Sequence, residues 1–117
     1  MAEGACASWD DVISRLDCIV AQAPEPFEQD TIDNGRELIH YLRERFIPPD
    51  GFDKGYWSTF SLFWDNFEIE VFDERFETYR FFKGATDILH FSHRPGEPFS
   101  VEFLAQLRMP RLGDPAP

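Results

Sequence analysis

Basic residues are scarce in this chain: 11 Lys and Arg stand against 22 Asp and Glu, for a formal net charge of −11. They form no basic stripe, and a surface of this sign repels phosphate backbones, so no direct binding of nucleic acid is expected. Cysteine is scarcer still. Cys6 and Cys18 are the only two thiols, too few for the framework of a disulfide-stabilised secreted domain, and reduced structural cysteines are expected. No apolar run approaches the roughly 20 residues of a membrane span, and the N-terminus has no basic segment leading into an apolar stretch. The expectation is a soluble, cytoplasmic protein without a membrane partner. Gly51, Gly55, Gly84 and Gly96 form no phosphate-cradling pattern, and no Ser or Cys stands in a recognisable context with a His partner, so neither a cofactor nor a nucleophile is expected.

Aromatic residues, by contrast, are plentiful. Thirteen Phe, three Trp and three Tyr in 117 residues must be buried in a core or gathered in an interface, which excludes disorder for the middle of the chain. This length supports one domain, expected over residues 1–108, with a Pro-rich tail over 109–117 expected to be disordered. The acids are blocked. Residues 1–33 hold eight, among them Asp10, Asp11 and Asp17, against Arg15 alone; residues 65–77 hold six (Asp65, Glu68, Glu70, Asp73, Glu74 and Glu77) against Arg75 alone.

Ser8 is placed to cap a first helix in which Trp9, Val12, Ile13, Leu16, Ile19 and Val20 repeat at helical spacing, and Pro24 and Pro26 end it. A second helix is clearest from Arg36 to Phe46, with Leu38, Ile39, Leu42 and Phe46 on one face. Its start is open: Asp33-Asn34-Gly35 reads either as a turn or as helix with Gly35 at a close packing contact. Pro48-Pro49-Asp50-Gly51 is a break. From Tyr56 the period becomes two. A tight turn at Asp65-Asn66 then pairs Trp64 with Phe67, Leu62 with Ile69 and Phe60 with Val71, every pair apolar. At the next turn a two-residue loop would set Glu70 against Glu77. A three-residue loop over Asp73-Glu74-Arg75 sets Phe67 against Phe81, Ile69 against Tyr79 and Glu68 against Arg80, and cross-strand charge favours it. A fourth strand runs from Asp87 to His93 in an open register, and Ser100 caps a short last helix. The fold class is therefore α+β: two N-terminal helices, a four-stranded antiparallel meander and a short C-terminal helix in a two-layer sandwich.

Candidate chemistry is thin. His90 and His93, three apart on a strand, point to opposite faces and cannot share a metal. His40 with Glu37 and Glu44 lies on one helical face, a spacing equally served by solvated hydrogen bonding. Glu68 and Glu70 share a strand face about 7 Å apart, which could suit paired carboxylates, but acids at alternate positions are also an ordinary solvent face. No catalytic residue and no metal ligand is assigned.

In these registers Trp57, Phe63, Phe72, Phe76 and Phe82 point away from the Leu62, Ile69 and Tyr79 set, among Glu68, Glu70 and Glu77. An apolar centre rimmed by acids has the anatomy of a protein interface. Alternatively, the face closes a homodimer or is covered by a helix from the chain itself. The candidate partner-binding residues are Glu68, Glu70, Asp73, Glu74, Glu77, Phe63, Phe72 and Phe76, with Asp10, Asp11 and Asp17 of the first helix as a second group. The expected partner is a basic protein that handles nucleic acid, a nuclease or a CRISPR or restriction effector. The expected function is non-enzymatic inhibition by charge mimicry, in the manner of anti-CRISPR proteins, immunity proteins and antitoxins. The rivals are an acidic homodimeric chaperone or assembly partner, and a small ligand-binding protein or enzyme with a pocket between helices and sheet.

Overall fold

The computed structural model describes residues 8–113, so Cys6 and residues 114–117 lie outside it. Helix α1 (Trp9–Gln22) starts as its sequence requires: the Ser8 hydroxyl accepts the Asp11 N–H at 3.1 Å, and Trp9, Val12 and Leu16 are buried. Cys18 on this helix is a free, exposed thiol. Helix α2 (Gln29–Arg43) begins a full two turns before Arg36, because the turn-forming residues within it serve tertiary contacts. A Cβ at Gly35 would sit 3.0 Å from the Phe60 ring, so a larger residue would need that ring to give by a few tenths of an ångström, and glycine lets the helix lie this close to the sheet without it. Asn34 is fully buried, and its amide donates to the carbonyls of Phe72 at 2.9 Å and Asp73 at 3.2 Å. Tertiary contact overrides the local preference for a turn.

The sheet has five antiparallel strands in sequence order: β1 (Gly51–Lys54), β2 (Phe60–Trp64), β3 (Phe67–Val71), β4 (Arg75–Phe82) and β5 (Ala85–Ser92). Strand β1 was hidden by the Pro-Pro-Asp-Gly break, since it starts at Gly51 itself and is only four residues long. Tyr56 lies outside β2, in the loop before it. The β2–β3 hairpin has the expected register, Trp64 opposite Phe67, Leu62 opposite Ile69 and Phe60 opposite Val71, with Asn66 at φ 62° in the turn. The β3–β4 hairpin does not. Its loop is the two-residue one, closed by Phe72 N–H donating to the Arg75 carbonyl at 2.9 Å, and it sets Glu70 opposite Glu77. Phe67 therefore faces Arg80, Ile69 faces Thr78 and Glu68 faces Tyr79.

The reason is a balance of magnitudes. This register puts Phe76 opposite Val71 and into the core, fully buried and stacked on Phe103 with centroids 4.7 Å apart. Burying a Phe contributes about 1.5–3 kcal/mol, whereas a cross-strand pair is worth roughly 0.2–1 kcal/mol. Burial wins.

The β4–β5 turn uses Lys83 at φ 48° and Gly84 at φ 81°, the mirror-image turn that suits strand twist. It fixes the register of β5, with Arg75 opposite Ser92 and Phe82 opposite Ala85. Ser100 accepts the Phe103 N–H at 3.1 Å and opens α3 (Val101–Leu104). Beyond Arg108, where a tail was expected, Met109 is buried, Ile47 N–H donates to the Pro110 carbonyl at 3.0 Å, and Leu112 N–H to that of Arg45 at 2.9 Å.

The helices lie on one face of the sheet. Phe27 stacks on Phe60 at 4.8 Å, and the Trp9 indole N–H donates to the Phe46 carbonyl at 2.9 Å. Phe76, Phe103, Phe91, Phe99 and His93 form a second aromatic stack of the same layer. Among the described residues no helix is long and apolar enough to cross a membrane.

Candidate functional site

Among the described residues no helix lies on the other face of the sheet. Strand alternation from the inward Ile69 and Phe76 assigns Ser61, Phe63, Glu68, Glu70, Glu77, Tyr79 and Phe81 to it. Phe76 is thus removed from the candidate surface: the shift of one residue in β4 register turns it inward, where it is fully buried. The same shift brings Tyr79 out to the helix-free face, while Phe82 shares the parity of Phe76 and stays 68% exposed, past the helical cover. Arg80 faces away from Glu68 and does not pair with it.

Glu70 and Glu77 are directly opposed, yet each is supplied with donors. The Tyr79 hydroxyl lies 2.8 Å from Glu70 Oε1 and 2.7 Å from Glu77 Oε1. Its single proton serves one of them at a time. Thr59 donates to Glu70 Oε2 at 2.6 Å, and the Arg75 Nε–H to Glu77 Oε2 at 2.7 Å; Arg75 also pairs with Glu74. His90 Nδ1 stands 3.5 Å from Glu77 Oε2, and Ser61 donates to Glu68 Oε2 at 3.2 Å. Glu70 and Glu77 are only 7% and 6% exposed as a result.

These surroundings displace proton affinities in opposite directions. Burial and the adjacent Glu70 charge push the Glu68 carboxyl above its ordinary value, against the Ser61 hydrogen bond. Burial acts the same way on Glu77, but the bonds from Tyr79 and Arg75 and the nearby cations outweigh it and hold this carboxyl below the usual range. Burial and the two flanking carboxylates hold the Tyr79 phenol far above its usual value.

A glycine makes the corner. A Cβ at Gly55 would lie 2.1 Å from Thr59 Oγ1 and 2.6 Å from Glu70 Oε2, so only glycine lets the loop fold over Glu70 and deliver the Thr59 hydroxyl. Tyr56 and Trp57 project from this loop, 86% and 65% exposed.

Among the other candidates, Phe63 and Phe72 are half-buried at the face, Phe72 under the Arg75 guanidinium at 3.8 Å, and Asp73 and Glu74 form the adjoining turn. Asp10, Asp11 and Asp17 sit elsewhere. They belong to α1 in the helical layer, across the sheet from the glutamates, and Asp17 and Asp10 pair with Arg36 at 2.8 Å and Arg43 at 3.5 Å. The two acidic blocks make two surfaces. No relative guides their interpretation. Comparison of the chain with protein-family models, with curated proteins and with solved structures gave no match.

Tyr79, Thr59, Ser61 and Arg75 complete the face and were missed from sequence. Tyr79 and Arg75 were findable, since the two-residue loop places both beside Glu77 at alternate positions. Thr59 was not, because its approach depends on the fold of the loop around Gly55. Chemically the face presents acceptors held in place by a rigid sheet, with apolar rings between and beside them.

Proposed function

We propose that the protein is a non-enzymatic acidic binding protein whose helix-free sheet face docks on a basic protein that handles nucleic acid, inhibiting it as anti-CRISPR, immunity or antitoxin proteins inhibit theirs. One observation carries this reading: Glu68, Glu70 and Glu77 are gathered on the helix-free face beside Glu74, with Phe63, Phe72 and Phe81 among them. Carboxylates held by a sheet can occupy a Lys/Arg groove in place of phosphates, and the rings supply area that resists dissociation. Glu70 and Glu77 act mainly through the field they set up, because their oxygens are already bonded. Glu68, Asp73 and Glu74 are the acids a partner's side chains would reach.

A pocket function has less support. A cleft of about 390 Å³ opens between the β2–β3 turn and the C-terminal segment, lined by Trp64, Phe67, Arg80, Phe82, Arg108 and Met109, and none of the groups with displaced proton affinity lines it.

The test is retention of basic proteins from host lysate at low salt. Retention should fall with rising ionic strength and be lost in a Glu68→Lys/Glu74→Lys double variant that still folds, while the purified protein shifts neither duplex nor single-stranded DNA. Unchanged retention by the folded double variant, or ordinary DNA binding by the native protein, defeats the reading.

A further inference from the structure

The two edges of the sheet are treated in opposite ways. Strand β1 is four residues long, carries Asp53 and Lys54, and lies against α1, whose Arg15 donates to the Phe52 carbonyl at 3.4 Å and to Asp53 at 3.1 Å. It is a short, charged and covered edge, the usual protection against strand addition. Strand β5 is eight residues long and exposed at every position except Phe91, and no described residue pairs with its free side. It has no Lys, no Pro and no bulge, its only formal charge is Asp87, and Ile88 and Leu89 are 48% and 40% exposed on its two faces.

The ladder shows which groups point outward. His93 N–H donates to the Glu74 carbonyl at 2.9 Å, continuing the β4–β5 register, and bonded pairs alternate along an antiparallel ladder. Residues 85, 87, 89 and 91 therefore bond inward to β4. Thr86, Ile88, His90 and Ser92 aim their N–H and C=O groups at the empty side.

We infer that this edge pairs with β5 of a second copy of the chain, antiparallel about a two-fold axis normal to the sheet, giving a continuous ten-stranded sheet. Such an axis matches like faces, so the outward set at 86, 88, 90 and 92 meets the same set of the partner copy. A centre at Leu89 sets Ile88 against His90 and Thr86 against Ser92, and brings the two Leu89 side chains together. Charge placement selects a second copy as the occupant. Residues 75–94 carry four cations (Arg75, Arg80, Lys83 and Arg94) against two acids (Glu77 and Asp87), in a chain whose net charge is −11. The acidic α1 lies against β1, at the far edge. The joint thus forms where two copies of a strongly acidic chain repel least, and this inference stands apart from the reading of the helix-free face.

Sedimentation equilibrium of the whole protein at micromolar to millimolar concentration tests it. The expected mass is twice the 13.7 kDa of the chain. Ile88→Pro removes an outward N–H and is tolerated at an edge; Ile88→Lys adds an edge charge and covers the case in which the proline variant fails to fold. Each folded variant should return to the single-chain mass, and amides 86, 88, 90 and 92 should exchange more slowly as the native protein is concentrated. A native protein of single-chain mass throughout, or a dimer that survives in a folded variant, overturns the inference.

Discussion

Tyr79→Phe removes one oxygen from the centre of the helix-free face and should cost more than an ordinary surface hydroxyl. The native phenol stands between two opposed carboxylates, at 2.8 Å from Glu70 and 2.7 Å from Glu77. One proton makes one charge-assisted bond at a time, and such a bond is worth about 1.5–3 kcal/mol. Both carboxylates are less than a tenth exposed, so water cannot freely replace the lost donor. A loss of roughly 2 kcal/mol at neutral pH follows. The pH dependence has a definite sign. Glu77 is held below the ordinary 4.5, so its contribution is fully present above that value and is lost as pH falls through its lower folded value. Without the Tyr79 bond the folded Glu77 carboxyl moves up, and the gap between native and variant narrows as Glu77 protonates. Urea titrations at neutral and acid pH measure both quantities. A loss below about 0.5 kcal/mol at neutral pH, well under a single charge-assisted bond, or a gap that widens on acidification, would refute the reasoning.

Leu62→Ala or Ile69→Ala, at fully buried paired positions, should each cost about 2–5 kcal/mol in a denaturant titration; a loss below about 1 kcal/mol would contradict the inner face described for β2 and β3. His93 is buried between the rings of Phe76 and Phe99, and burial outweighs the raising influence of Glu37 and Glu97, so its folded pKa lies below the ordinary 6.5. The corresponding stability is complete above 6.5 and is lost as pH falls through the folded value, a slope that His93→Phe should flatten in melting experiments at pH 5 to 7. A native slope unchanged by that substitution would place the acid sensitivity elsewhere.

The sequence by itself determined what depends on near neighbours. Ser8 and Ser100 cap where a hydroxyl can reach an N–H three residues on, and the β2–β3 register follows from three apolar pairs that no other loop length would join. The acidic character of the surface and the α+β order of elements were legible for the same reason, being sums over local residues. Competition between distant parts of the chain decided the rest. The β3–β4 loop accepts Glu70 opposite Glu77 because Phe76 gains a core made by Phe103 and His93, residues far along the chain, and because Thr59, Tyr79 and Arg75 arrive to bond the two acids. Asn34 and Gly35 read locally as a turn, but lie in a helix because one clamps the Phe72 and Asp73 carbonyls and the other lets Phe60 approach. A one-residue change of register reverses every side chain of a strand, so the membership of the candidate face rested on burial that only the assembled core could weigh.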